Sequence, residues 1–352
     1  TEIEDIIAMI SLYRPGTLDA GMVPRYIARK LGKEKGTYLH PKLDPILKTT
    51  YGIGVYQEQM MRITRDLAGF TLSEADTLRK AIGKKIKSLL DEQQEKIIKG
   101  MLANGIDKKT AGIIWELFPP FARYGFNKSH AACYALIAYR TAYLKAHYPI
   151  EFMAGLLNAE SNDIDRVTFL IQEARQTGIN ILPPDANQSF VTFVPEGTKI
   201  RSGLLAIKNV GEQITRNIID ERLARGPFRS FDDFLSRVHH KDLNKKSLES
   251  LIKSGVFDSL GIERNQALEN LEDIVKFTTV IRKNGENGNS ATSLFGAAMP
   301  TATLKMKPAR PASDSEKLAW EKELLGFYLS DHPLNPFVNK IKEAKEIIEM
   351  VS

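Results

Sequence analysis

The stretch Leu205-Ala206-Ile207-Lys208-Asn209-Val210-Gly211-Glu212 runs into a helix-periodic segment carrying Ile214, Ile218, Ile219 and Arg222. An apolar residue, two polar residues, Val-Gly and then an amphipathic helix spell the hairpin of a helix-hairpin-helix element. Gly211 lets a backbone come close to a phosphate, and the first N–H groups of the following helix supply donors. Further on, Asn244-Lys245-Lys246-Ser247 leads into Leu248, Leu251, Ile252 and Gly255 and reads as a degenerate second copy. Lys208, Asn209, Gly211, Lys245 and Lys246 are the residues of this tandem that would meet a DNA backbone, a contact that carries no base sequence. A purely structural helical hairpin fits the same pattern, and the hairpins alone do not separate the two.

Working outward, residues 179–206 read as a short β-ribbon: Phe190, Val191, Phe193 and Val194, a turn at Pro195-Glu196-Gly197, then Ile200 and Leu204. From Tyr51 to about Asn158 helical periodicity dominates. Thr71 with Glu74 is a capping-box pattern for a helix that Gly83 breaks, Asp107 caps a helix to Leu117, and Ser129 caps a long helix reaching His147. Residues 1–50 read as loop-rich, with a turn at Tyr13-Arg14-Pro15-Gly16. Residues 283–316 cluster Gly, Asn, Ser, Thr and Pro, the composition of a mobile linker, and a last helical stretch begins near Asp314. The fold class is mainly α, with a short β-ribbon before the tandem hairpins.

Two groups of cations sit beside helix ends. In Tyr124-Gly125-Phe126-Asn127-Lys128-Ser129-His130, continuing to Tyr134, a helix start coincides with the Lys128 charge, and His130 and Tyr134 share one face. Charge, oriented donors and an aromatic plane make a cradle for a phosphate and a base. An ordinary capped helix with a surface Lys is the plainer reading. Arg79, Lys80, Lys84 and Lys85, with Lys87, crowd the break at Gly83. Such a cluster repels itself unless an anion neutralises it, although charge runs are commonly solvated faces.

Composition narrows the classes. With 352 residues and 43% hydrophobic content the chain can build two to three cored domains. The net charge of +6 favours polyanionic partners, and a solvated basic surface gives the same number. The single cysteine, Cys133, excludes an internal disulfide and a cysteine zinc site; among alanines it reads as a small packed hydrophobe. His239 and His240 are adjacent and diverge on a helix, and Asp163-Ile164-Asp165 reads as a helix cap rather than a Mg²⁺ ligand pair. No Ser-His-Asp set, Walker loop or dinucleotide Gly-rich loop occurs. Without a signal peptide or a membrane-length apolar run, the expectation is a cytoplasmic chain with no membrane partner. The chain opens at Thr1 without Met, as a fragment or a processed product does.

Taken in order, these motifs resemble the C-family DNA polymerases, the bacterial DNA polymerase III α subunits of the DnaE type. The resemblance rests on Tyr13-Arg14-Pro15-Gly16, Tyr51-Gly52-Ile53 with Tyr56-Gln57-Glu58-Gln59, Leu78 to Lys85, and Tyr124 to His130. Tyr143 to Pro149, Ile181-Leu182-Pro183-Pro184-Asp185 and Leu325-Gly326-Phe327-Tyr328-Leu329 complete it. It implies the end of a palm domain over 1–48, a fingers domain over 49–187 and the β-ribbon with helix-hairpin-helix module over 188–282. It further implies a linker over 283–316 and a helical segment over 317–352 leading to an OB domain. DNA-directed DNA synthesis is the implied activity, with primer-template DNA, dNTPs, a sliding clamp and other replicase subunits as partners. The implied dNTP contacts are Arg79, Lys80, Lys84, Lys85, Lys128, His130 and Tyr134, and Arg14 joins the DNA contacts. The Mg²⁺ ligands of the family are palm aspartates that precede the matching segment, so the chain by itself is expected to be inactive. Leu294-Phe295 resembles the family's clamp-binding peptide, with Ala291 where that peptide has Gln. A non-enzymatic DNA-binding and clamp-tethering module is the alternative.

Overall fold

The computed structural model describes residues 2–84, 87–119, 124–286 and 304–330, without the side chains of 81–90 and 282–286. It divides into two compact units, residues 1–143 and 144–352.

The first unit is helical. Its elements are α1 (Ile3–Leu12), α2 (Pro15–Asp19), α3 (Met22–Lys30), α4 (Asp44–Leu47), α5 (Gln57–Ala68), α6 (Leu72–Lys84), α7 (Lys87–Ala103) and α8 (Lys108–Trp115), then the start of α9 (Lys128–His147). Residues 1–50 are therefore not loop-rich. Pro15 occupies the first helical position, where no N–H is needed, so the Pro-Gly pair opens a helix instead of making a turn. Gly16 is demanded by packing: a Cβ there would lie 2.7 Å from the Tyr124 ring. The apolar stripes of α5 to α8 close one core around Ile63, Leu67, Leu78, Ile97 and Ile114. A second core joins Leu12, Tyr26, Val55 and Tyr56 to Ala131 and Ala135 of α9.

Several local expectations need correcting. The Thr71–Glu74 box forms, but α6 runs through Gly83 to Lys84. One glycine costs a helix only about 1 kcal/mol, too little to end it. Asp107 caps α8 as read, and the helix stops at Trp115, two residues early. The cap of α9 is Asn127, whose Oδ1 accepts from the His130 N–H at 2.8 Å; Ser129 lies inside the first turn. Cys133 is exposed, because Ala131 and Ala135 hold the buried side and position 133 falls opposite them.

The second unit contains α10 (Pro149–Ala159), α11 (Ile164–Gln176), a small sheet, α12 (Glu212–Arg225), α13 (Phe231–Arg237), α14 (Lys245–Lys253), α15 (Arg264–Glu269), α16 (Leu271–Glu286) and α17 (Asp314–Leu324). The ribbon strands β2 (Val194–Glu196) and β3 (Lys199–Arg201) pair antiparallel. A third strand, β1 (Ile181–Leu182), runs parallel to β3, so the sheet order is β1-β3-β2. Two residues ahead of Pro183-Pro184 give no alternation to read, which hid this strand. Phe231, Phe234 and Phe257 stack edge to face in the core, and Leu324, Leu325, Phe327 and Leu329 join the same core. Residues 304–313 are not a free linker. Asn270 exchanges two hydrogen bonds with the Lys307 backbone, Glu263 accepts from the Ala312 N–H, and Leu304 and Met306 pack on the core.

Candidate nucleotide and nucleic-acid sites

In the first unit the start of α9 is held against the α5 entry. Tyr56 and Phe126 form a parallel bridge: Phe126 N–H donates to Val55, and Gln57 N–H donates to Phe126. This pairing brings three charged side chains to the α9 N-terminus. The Lys128 N–H donates to both carboxylate oxygens of Glu58, each at 3.0 Å. The Lys128 ammonium lies 3.1 Å from Glu4 and 5.2 Å from the Tyr56 ring centre. Tyr56 is only 1% exposed, and its hydroxyl has no hydrogen-bond partner. Burial, then the charges of Glu4 and Glu58, raise its pKa above the usual phenol range. The sequence flagged Lys128 as a site residue, noted Tyr56 and Glu58 only within a family motif and passed over Glu4, since nothing local marks residues that arrive from other helices.

An aromatic ladder continues from this point. The Arg14 guanidinium sits 4.7 Å over Phe126, Phe126 lies 5.5 Å from His130, and His130 lies 4.6 Å from Tyr134, which is 54% exposed. His130 and Tyr134 thus share a face as their spacing implies. Arg14 donates to the carbonyls of Ser11 and Tyr124 at 2.7 and 2.6 Å, and burial lowers its pKa. Its fork is turned to the protein's own backbone. Arg79 and Lys80 share Asp76 at 2.9 and 2.8 Å, an internal counter-ion one turn back that the sequence reading overlooked. Among the described residues no hydrogen bond, ion pair or ring contact joins this pair to the Lys128 group. The Lys84 side chain, and Lys85 altogether, lie outside the described residues.

In the second unit the hairpin forms as read. A 3₁₀ turn at Leu204–Ala206 leads to Asn209, which takes a left-handed conformation at φ 67°, and then to Gly211, the N-cap of α12. Gly211 has an extended backbone, and a Cβ there would touch nothing within 4 Å. Among the described residues neither strain nor packing calls for glycine here, and glycine is one of the residues that suit an N-cap. The Asn209 amide donates to the Ser250 hydroxyl at 3.1 Å, tying the first hairpin to α14. Asn244 caps α14 by accepting from the N–H groups of Lys246 and Ser247, so a helix does begin where the degenerate second copy is read. Lys208 and Lys246 are exposed and carry no ion pair among the described residues, whereas Lys245 meets Glu272 at 3.2 Å. Asp163 caps α11, as read. Leu294 and Phe295 lie outside the described residues.

Comparison with known proteins fits this picture. The family described as the bacterial DNA polymerase III alpha subunit finger domain matches residues 1–105, and the helix-hairpin-helix motif family matches residues 178–267. The chain is 45% identical to a Borreliella burgdorferi protein named DNA polymerase III subunit alpha, over 96% of this chain and 30% of that protein. It is 42% identical to the Thermus aquaticus protein of the same name, over 99% of this chain and 28% of the relative. The chain therefore spans somewhat under a third of the length of the relatives it matches.

Proposed function

The chain belongs to the bacterial DNA polymerase III alpha-subunit family, and on that premise we propose that it supplies the incoming-nucleotide cradle and duplex-backbone contacts of DNA-directed DNA synthesis. The observation that carries this reading is the α9 N-terminus, where Lys128, His130 and Tyr134 present charge and an aromatic face together. In such a reaction the primer 3′-hydroxyl attacks the α-phosphate of a dNTP and pyrophosphate leaves. Lys128 neutralises the triphosphate, Arg79 and Lys80 add positive potential, and His130 and Tyr134 stack on the nascent base pair. Arg14 acts at one remove from DNA, fixing Phe126 and with it the ladder.

Two Mg²⁺ ions held by carboxylates would supply charge stabilisation for this chemistry. Among the described residues no three His, Cys, Asp or Glu side chains converge, so these residues do not fit that role. On this reading the chain by itself binds nucleotide and DNA without extending a primer. Lys208, Gly211 and Lys246 hold the duplex backbone, and Leu294-Phe295 tethers the subunit to a sliding clamp in the cytoplasm. Among the described residues no helix is long and apolar enough to cross a membrane.

The test is fluorescence polarisation with a labelled dATP and a primer-template duplex. Lys128→Ala weakens dATP binding by about tenfold, the range of a charge-assisted contact to phosphate. Gly211→Val weakens duplex binding and leaves dATP untouched. Wild-type dATP affinity in Lys128→Ala would sink the nucleotide reading.

A further inference from the structure

A cavity of about 420 Å³ opens in the first unit between α3 and the Gly52–Gly54 turn, away from the Lys128 cradle in its lining. Its walls include Arg25, Arg29 and Thr37, and no carboxylate lines it. Arg25 is exposed and forms no ion pair or side-chain hydrogen bond among the described residues. Arg29 is held in place by the Tyr51 carbonyl at 3.1 Å and by Glu34 at 2.8 Å, and Glu34 stands outside the lining. Among the described residues the Gly54 N–H donates to no acceptor. The same cavity is also lined by the apolar Met22, Leu39, Ile53 and Leu117, and by Tyr124. A free guanidinium, a free backbone donor and no negative charge select an anion, and the apolar lining selects what the anion is attached to.

We infer that this cavity is a second nucleotide seat, taking a phosphate on Arg25 and the Gly54 N–H with its base against the apolar wall. For the identity of the anion the inference rests on the proposed nucleic-acid role. Two sources share this chemistry, a nucleotide of an unpaired strand and a free nucleotide. A strand fits a site set apart from the Lys128 cradle, because successive phosphates can track a basic groove while the bases lie on apolar or aromatic faces.

The experiment uses the full chain with two fluorescent probes, 5′-phosphorylated tetrathymidylate and dATP. Arg25→Gln removes the free charge without breaking any internal bond, and Leu39→Asp places a carboxylate on the exposed rim. Each is expected to weaken tetrathymidylate binding by about tenfold, the lower end of the range for one charged hydrogen bond. If only dATP binding falls, the seat stands and its occupant is the free nucleotide. Unchanged binding of both probes by both variants, with far-UV circular dichroism intact, overturns the inference while Lys128→Ala still tests the parent reading. A wild-type chain that binds neither probe defeats both.

Discussion

At the scale of the residue, Lys128 shows what spacing reveals and what it hides. Its position near a helix start was legible, although the sequence placed the cap at Ser129 and the structure places it at Asn127. Its partners were not, since Glu4 is 124 positions away in sequence and Glu58 is 70. Both carboxylates occupy donors that a triphosphate would use. Glu4→Gln therefore frees the ammonium and strengthens dATP binding, by at most about fivefold because a half-exposed pair contributes no more than ~1 kcal/mol. A weaker-binding Glu4→Gln protein would mean that Glu4 orients Lys128 instead of competing for it. Gly16 has the same lesson in steric form. Pro-Gly suggested a turn, but the glycine exists to admit the Tyr124 ring, so Gly16→Ala lowers stability by about 1–3 kcal/mol in urea unfolding.

At the scale of the element, the long periodic helices and the hairpins could be read because each carries its own signals. The Thr71–Glu74 box, the Asp107 and Asp163 caps and the Val210-Gly211 turn are all local chemistry. The short strand β1 and the packed stretch 304–313 were missed because other segments define them: β3 supplies every partner of β1, and Asn270 and Glu263 pin the second. The start of α17 has a capping box of its own, in which Glu316 accepts from Ser313 and pairs with Arg310. Hydrogen bonds from Arg310, then from Ser313, lower the Glu316 carboxyl to about 2. A depressed folded value means that this carboxylate's contribution is complete above the ordinary range near 4. It fades as pH falls towards about 2. The urea midpoint of wild type should exceed that of Glu316→Gln at neutral pH, and the gap should close over that acid interval. A gap that stays constant with pH would rule this account out.

At the scale of the molecule, composition and motif order indicated a mainly helical chain, and they could not show which segments share a core. Residues 317–352 were read as a helical segment leading to an OB domain, and Leu324, Leu325, Phe327 and Leu329 of it are buried with the phenylalanines of the second unit. Phe327→Ala is accordingly expected to destabilise that unit by about 3–5 kcal/mol, the usual range for emptying a buried aromatic site, read as a shift in its thermal transition. The same segment touches the hairpin directly. Lys208 N–H donates to the Leu324 carbonyl at 2.9 Å, while Glu321 accepts from Leu329 and Ser330. These bonds act as a short rigid strut. A tug on the backbone at Ser330 is delivered, within a few bonds, to the Lys208–Gly211 loop, so on the proposed reading of that loop, grip on a duplex and tension along the chain would be mechanically one quantity.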